Sequence, residues 1–71
     1  MKKYLIILEK TSTGYSAYSP DVIGCIATGS TKTEVKQNMR EAIESHLEGL
    51  QREGCAVPQP HSSSTYIEVA L

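Results

Sequence analysis

Cys25, His46, Cys55 and His61 match a two-Cys, two-His zinc set by number alone. Their spacing argues against it. Structural zinc sites pair their ligands closely, as C-x₂-C or H-x₃-H, and no two of these four form such a pair. A cysteine nucleophile needs a positioned base, and neither histidine falls near Cys25 in the chain. Both cysteines read as free thiols, and Cys25 reads as a small buried hydrophobe. The carboxylates are the other reactive groups. Two-metal nuclease chemistry needs several of them converging on ions about 4 Å apart. Glu9 stands alone at the end of an apolar run, and the acidic residues Glu34, Glu41, Glu44 and Glu48 recur at helical spacing. No catalytic residue, cofactor or metal ligand is therefore assigned.

The elements that carry these residues are legible. Leu5-Ile6-Ile7-Leu8 is a short β-prone run with apolar residues of both parities, as in a strand covered on both sides. A polar turn, Lys10 to Gly14, leads to Tyr15–Ser19, a second strand ended by Pro20. Cys25–Thr28 forms a third. Thr31 and Glu34 make a capping box, and Val35, Met39, Ala42, Ile43, Leu47 and Leu50 fall in one stripe about 140° wide. The spacing predicts a helix from about 32 to about 53, with Gly54 as its C′ residue. The four glutamates lie opposite the stripe. His46 lies within it, either as a core or subunit-interface histidine or as a pH-sensitive contact. His61 belongs to a Pro/Ser loop and reads as solvated. Thr65–Leu71 alternates apolar and polar and reads as a final strand.

The expected class is α+β, with order β-β-β-α-β in one domain, 1–71. A right-handed crossover would set the last strand beside the first, giving a four-stranded sheet of order 3-2-1-4 with one long helix on one face.

One further pattern carries a resemblance. Ser19-Pro20-Asp21-Val22-Ile23-Gly24-Cys25 is followed by Thr28-Gly29-Ser30-Thr31, then by Glu34 and Arg40-Glu41-Ala42-Ile43, and then by Gly54 and Val57-Pro58-Gln59-Pro60. These segments, in this order and spacing, resemble the HicB family of antitoxins from about Tyr4 to about Val69. The resemblance implies a partial RNase H-like β-β-β-α-β fold. It also implies a function: neutralising a small mRNA-cleaving toxin of the HicA type by masking its RNA-contacting surface. Longer members carry a C-terminal DNA-binding domain. These 71 residues hold none, so a short form that binds no DNA by itself is expected. An orphan protein-binding module and an RNase H-like nuclease are the competing readings.

Two features are weighed as the contact surface. The turn Pro20, Asp21, Gly24 and Cys25 is either a structural device or a direct partner contact. The face of Glu34, Glu41, Glu44 and Glu48 is either a solvated face or the electrostatic complement of a basic toxin. A net charge of −1 argues against broad nucleic-acid binding. No apolar run reaches the 18–20 residues or so of a membrane span, and the N-terminus lacks a signal-peptide pattern, so a cytoplasmic protein is expected. At 71 residues with no Trp or Phe, the core is thin. One helix covers one sheet face, so a homodimer or tetramer is expected to cover the other.

Overall fold

The turn after the first strand closes on its own side chains. Thr11 N–H donates to Gly14 O at 2.8 Å, and Thr11 Oγ1 accepts from Gly14 N–H at 3.1 Å. The computed structural model describes residues 1–71. This turn joins β1 (Ile7–Lys10) to β2 (Tyr15–Tyr18), and β3 (Ile26–Gly29) follows. All pairs are antiparallel, in the order β1-β2-β3. Ile7 pairs with Tyr18, so continuing that register would set Leu5 against Pro20. Proline offers no N–H to a ladder, and β1 accordingly begins two residues after the start of the apolar run.

The helix α1 spans Lys32–Arg52. At its start Thr31 Oγ1 accepts from Glu34 N–H at 3.1 Å, and the Glu34 carboxylate accepts from the Ser30 amide at 3.2 Å. The return bond of the capping box thus reaches one residue further back than usual. At its end Cys55 N–H donates to Leu50 O and Gly54 N–H to Gln51 O. With Gly54 at φ +72°, this is a Schellman motif, whose left-handed C′ position suits glycine.

Ala17, Val22, Cys25, Val35, Met39 and Ile43 form the buried core, flanked by half-buried Tyr4, Ile6, Leu8, Tyr15, Ala27 and Leu47. The helix covers the sheet face of Ala17 and Leu8. A four-residue strand spans about 13 Å and a 21-residue helix about 31 Å. The helix is therefore longer than the strands beneath it, and its packing against the core runs only as far as Leu47. His46, read as a core or subunit-interface histidine or a pH-sensitive contact, is exposed on this chain, which removes the core alternative.

The four-stranded sheet of order 3-2-1-4 does not form. The arrangement is β-β-β-α, with the α+β class retained. Thr65–Leu71, the expected last strand, makes no backbone hydrogen bond. The segment is exposed: a strand requires hydrogen bonds to a partner edge, and this segment makes none within its own chain.

Candidate protein-binding surface

Three surfaces carry the residues singled out above. The first is the outer face of α1, where Glu34, Glu41, Glu44 and Glu48 are all exposed. Three of them have local partners. Glu34 accepts from Ser30 at the cap, Glu41 accepts from Gln37 Nε2 at 3.0 Å, and Glu48 pairs with Arg52. Glu44 makes no side-chain bond within the chain. The face is acidic and solvated, and three of its four carboxylates are already oriented by neighbours.

The second is the turn between β2 and β3. Val22 N–H donates to Ser19 O and Cys25 N–H to Val22 O, each at 3.3 Å, so two tight turns follow one another. Pro20 and Gly24 are exposed, and Gly24 takes φ +88°. Val22 is fully buried, and Ser19, Asp21 and Cys25 are buried beside it. Burial pushes the Cys25 thiol above its ordinary range, and Sγ lies 3.8 Å from Ala42 O. It is packed as a hydrophobe, and its one hydrogen-bond partner is a helix carbonyl.

Asp21 does not cap its own turn. Its Oδ1 accepts from Ser62 Oγ at 2.6 Å, and its Oδ2 accepts from the His61 and Ser62 amides, each at 3.0 Å. The Ser62 hydroxyl, first, and then the Ser62 amide hold the carboxyl below its usual range. The His61 amide and ring add to this, while desolvation opposes it. Tyr4 Oη donates to Pro58 O at 2.6 Å, a second tie on the same segment. Local sequence gave no sign of either, because each joins positions more than fifty or forty residues apart.

Asp, His and Ser thus meet at one place, but not as a catalytic triad. The serine hydroxyl donates to the aspartate, while His61 Nδ1 stands 3.1 Å from Gln59 O and 3.3 Å from Asp21 Oδ1. In a triad the histidine lies between the other two. Glu9 is exposed on the sheet face away from α1, whereas the helix glutamates lie beyond the opposite face. Those carboxylates do not converge, and no three His, Cys, Asp or Glu side chains come together to hold a metal.

The third surface is the sheet face that the helix leaves open, which sequence reasoning identified only as needing a cover. The registers set Ile7 opposite Tyr18 and Tyr18 opposite Ile26, forming one apolar row across all three strands. Ile26 is 73% exposed, and Ile23 in the adjoining turn is 88% exposed. A contiguous exposed apolar patch is a candidate contact surface.

A family model described as the HicB-like antitoxin of bacterial toxin–antitoxin systems matches residues 4–70. An uncharacterised 14.9 kDa protein of Haemophilus phage HP1 is 38% identical over 90% of this chain, which spans about half (48%) of that relative. UPF0150 proteins of Helicobacter pylori and Thermoplasma acidophilum are 34% and 33% identical over 92% and 84% of this chain, and over 92% and 88% of their own lengths. A solved HicA3 and HicB3 toxin–antitoxin complex contains a chain 37% identical to this one. The superposition gives a TM-score of 0.72, covering 84% of this chain and 70% of that one. A crystal structure of the antitoxin HicB3 superposes at TM-score 0.71 over 84% of this chain and 44% of that one.

Proposed function

Because this chain belongs to the family of HicB-like antitoxins of bacterial toxin–antitoxin systems, we propose that it binds a small HicA-type toxin and neutralises it. The observation that carries this reading is the likeness to the chain in the HicA3–HicB3 complex, at 37% identity and TM-score 0.72. The mode of action is occlusion: the antitoxin covers the surface with which an mRNA-cleaving toxin holds its substrate. The acidic outer face of α1 is the part of this chain suited to a basic, RNA-binding surface. Opposite potentials steer encounter and fix orientation across such interfaces.

The role is non-enzymatic. The inverted Asp21–Ser62–His61 arrangement and the scattered carboxylates support this reading. The chain acts without binding DNA itself, consistent with its net charge of −1. It works in the cytoplasm, where a toxin that cleaves mRNA must be met. No helix is long and apolar enough to cross a membrane. It self-associates, as a dimer or a tetramer, through surfaces that one copy leaves uncovered.

Co-expression tests the reading. A HicA-type toxin encoded beside this chain should co-purify with it, and growth arrest by the toxin should be relieved. Persistent arrest with no co-purification would overturn the antitoxin role.

A further inference from the structure

At the start of α1 lies a cleft of about 520 Å³, between the Thr11–Gly14 turn, the end of β3 and the first turns of the helix. Ligand sites span roughly 300–1,000 Å³. Thr11, Thr28, Ser30, Glu34 and Asn38 line it, with Tyr15 as its one hydrophobic wall and Glu34 as its one charge. The walls are held in place. A Cβ on Gly14 would meet Ser30 Cα at 2.9 Å, so the hairpin turn is seated on the junction of β3 and α1.

Hydrogen bonds within the chain decide what the cleft can take. The Gly14 amide donates to Thr11 Oγ1 at 3.1 Å, the Ser30 amide to Glu34 Oε1 at 3.2 Å, and Asn38 Nδ2 to Thr28 O at 2.8 Å. These nitrogen donors are spent inside the chain, and acceptors are left over. Asn38 Oδ1 has no partner. An ionised carboxylate offers about four acceptor sites, and Ser30 has only its amide and hydroxyl hydrogens to give to Glu34. A cleft rich in acceptors around one carboxylate selects a cation that carries several N–H groups. Glu34, in the first turn, also offsets the partial positive charge of the helix start.

Tyr15 narrows the choice. Lys32 Nζ lies over its ring, 5.9 Å from the centroid. Lys32 borders the neighbouring groove but not this cleft, whereas Tyr15 borders both. The ring therefore already draws one cation on its groove side and faces the cleft with the other. A guanidinium is planar, has five donors and stacks on aromatic rings, while an ammonium has three donors and is more strongly hydrated.

We infer that the cleft is a socket for an arginine side chain of the toxin. This rests on the proposed function, in which the partner surface is basic. The guanidinium stacks on Tyr15 and donates to Glu34 and to Asn38 Oδ1. Glu34 heads the face that continues through Glu41, Glu44 and Glu48, so one partner surface reaches both. The three later glutamates steer the encounter and set its rate. The socket holds the docked partner and sets how slowly it leaves.

Two arms test the socket, both with the full chain. In the first, N-acetyl-arginine amide is titrated into isotopically labelled chain and followed by NMR. Shifts should concentrate at Thr11, Thr28, Ser30 and Asn38. N-acetyl-lysine amide should bind at least about threefold more weakly. In the second, surface plasmon resonance compares toxin binding to wild type and to Glu34→Gln, which keeps an acceptor for the Ser30 amide. The variant should release the toxin about tenfold faster, with little change in association rate and with the helical circular dichroism retained. The first arm needs no variant, so a misfolded Glu34→Gln chain leaves it decisive. Equal binding of the two probes, or shifts away from the cleft, would overturn the socket. A probe that binds there, beside a toxin complex that leaves the same resonances unmoved, would overturn the toxin as the source of the guanidinium. A toxin that binds but leaves Glu34→Gln no faster than wild type removes the socket alone, whereas a toxin that does not bind at all removes the antitoxin reading.

Discussion

Asp21 Oδ1 accepts a hydrogen bond from Ser62 Oγ at 2.6 Å, across 41 positions of sequence. Together with the His61 and Ser62 amides on Oδ2, this bond ties the segment after α1 to the turn between β2 and β3. The carboxylate serves as an acceptor hub for an irregular stretch whose amides have no ladder. That explains why a charged residue stands buried beside Val22: charge-assisted bonds to backbone amides offset the desolvation that burial imposes. It also fixes where the tail begins, since Ser62 is held and only the residues beyond it are free of the core.

Asp21 should make stability depend on acid. Its folded-state carboxyl lies below the ordinary range, so its contribution is complete above the unfolded value of about 3.9 and fades as pH falls through the folded value. Asp21→Ala should lower the thermal midpoint at pH 7. The gap between variant and wild type should narrow steadily once pH drops below about 4. Thermal melts at a series of pH values measure this. A gap that stays constant down to pH 2 would show that the carboxylate charge contributes nothing.

The cap at the helix start separates Glu34 from its three neighbours on the acidic face. Thr31→Ala removes the acceptor for Glu34 N–H and should cost about 1 kcal/mol. Glu34→Ala removes the bonds to Ser30 and should also destabilise, by a fraction of that. Glu44→Ala, with no side-chain partner in the chain, should leave the urea midpoint within error. Urea titrations followed by circular dichroism compare all three, and equal effects at 34 and 44 would contradict the distinction.

Gly29 is fixed by close approach. A Cβ there would meet Val35 N at 2.7 Å and Val35 Cα at 2.9 Å, backbone atoms that cannot swing aside. Gly29→Ala should therefore push α1 off β3 and cost about 1–3 kcal/mol, as overpacked cores do. That is a large share of the stability of a domain this small. A chemical-denaturation midpoint unchanged from wild type would show that the helix seat is looser than the geometry indicates.

What sequence disclosed depended on how local the cause was. The helix was legible almost to the residue, from Thr31 and Glu34 at one end to Gly54 at the other, because each cap is a bond between near neighbours. The two strands around Pro20 were legible for the same reason. The core alternative for His46 failed, since a helical wheel carries no information about how much of the stripe the sheet beneath it covers. The acceptor role of Asp21 was hidden because its donors are forty positions away. Thr65–Leu71 has the alternation of a strand, but a strand is defined by its partner, and nothing in the segment names one.

The acidic face yields the prediction closest to function. Glu41, Glu44 and Glu48 are exposed on the side of α1 away from the core, so reversing their charge should spare the fold. Glu34 is left intact because it serves the cap. Glu41→Lys, Glu44→Lys and Glu48→Lys together should weaken binding to a basic HicA-type toxin by about tenfold or more, chiefly through slower association. The wild-type association rate should also fall as salt rises from 50 to 500 mM, roughly, while that of the triple variant should be nearly flat. Surface plasmon resonance over that range reads both quantities, with circular dichroism confirming the fold. An unchanged rate and an unchanged salt slope would move the toxin contact off α1, to the open sheet face of Ile7, Tyr18 and Ile26.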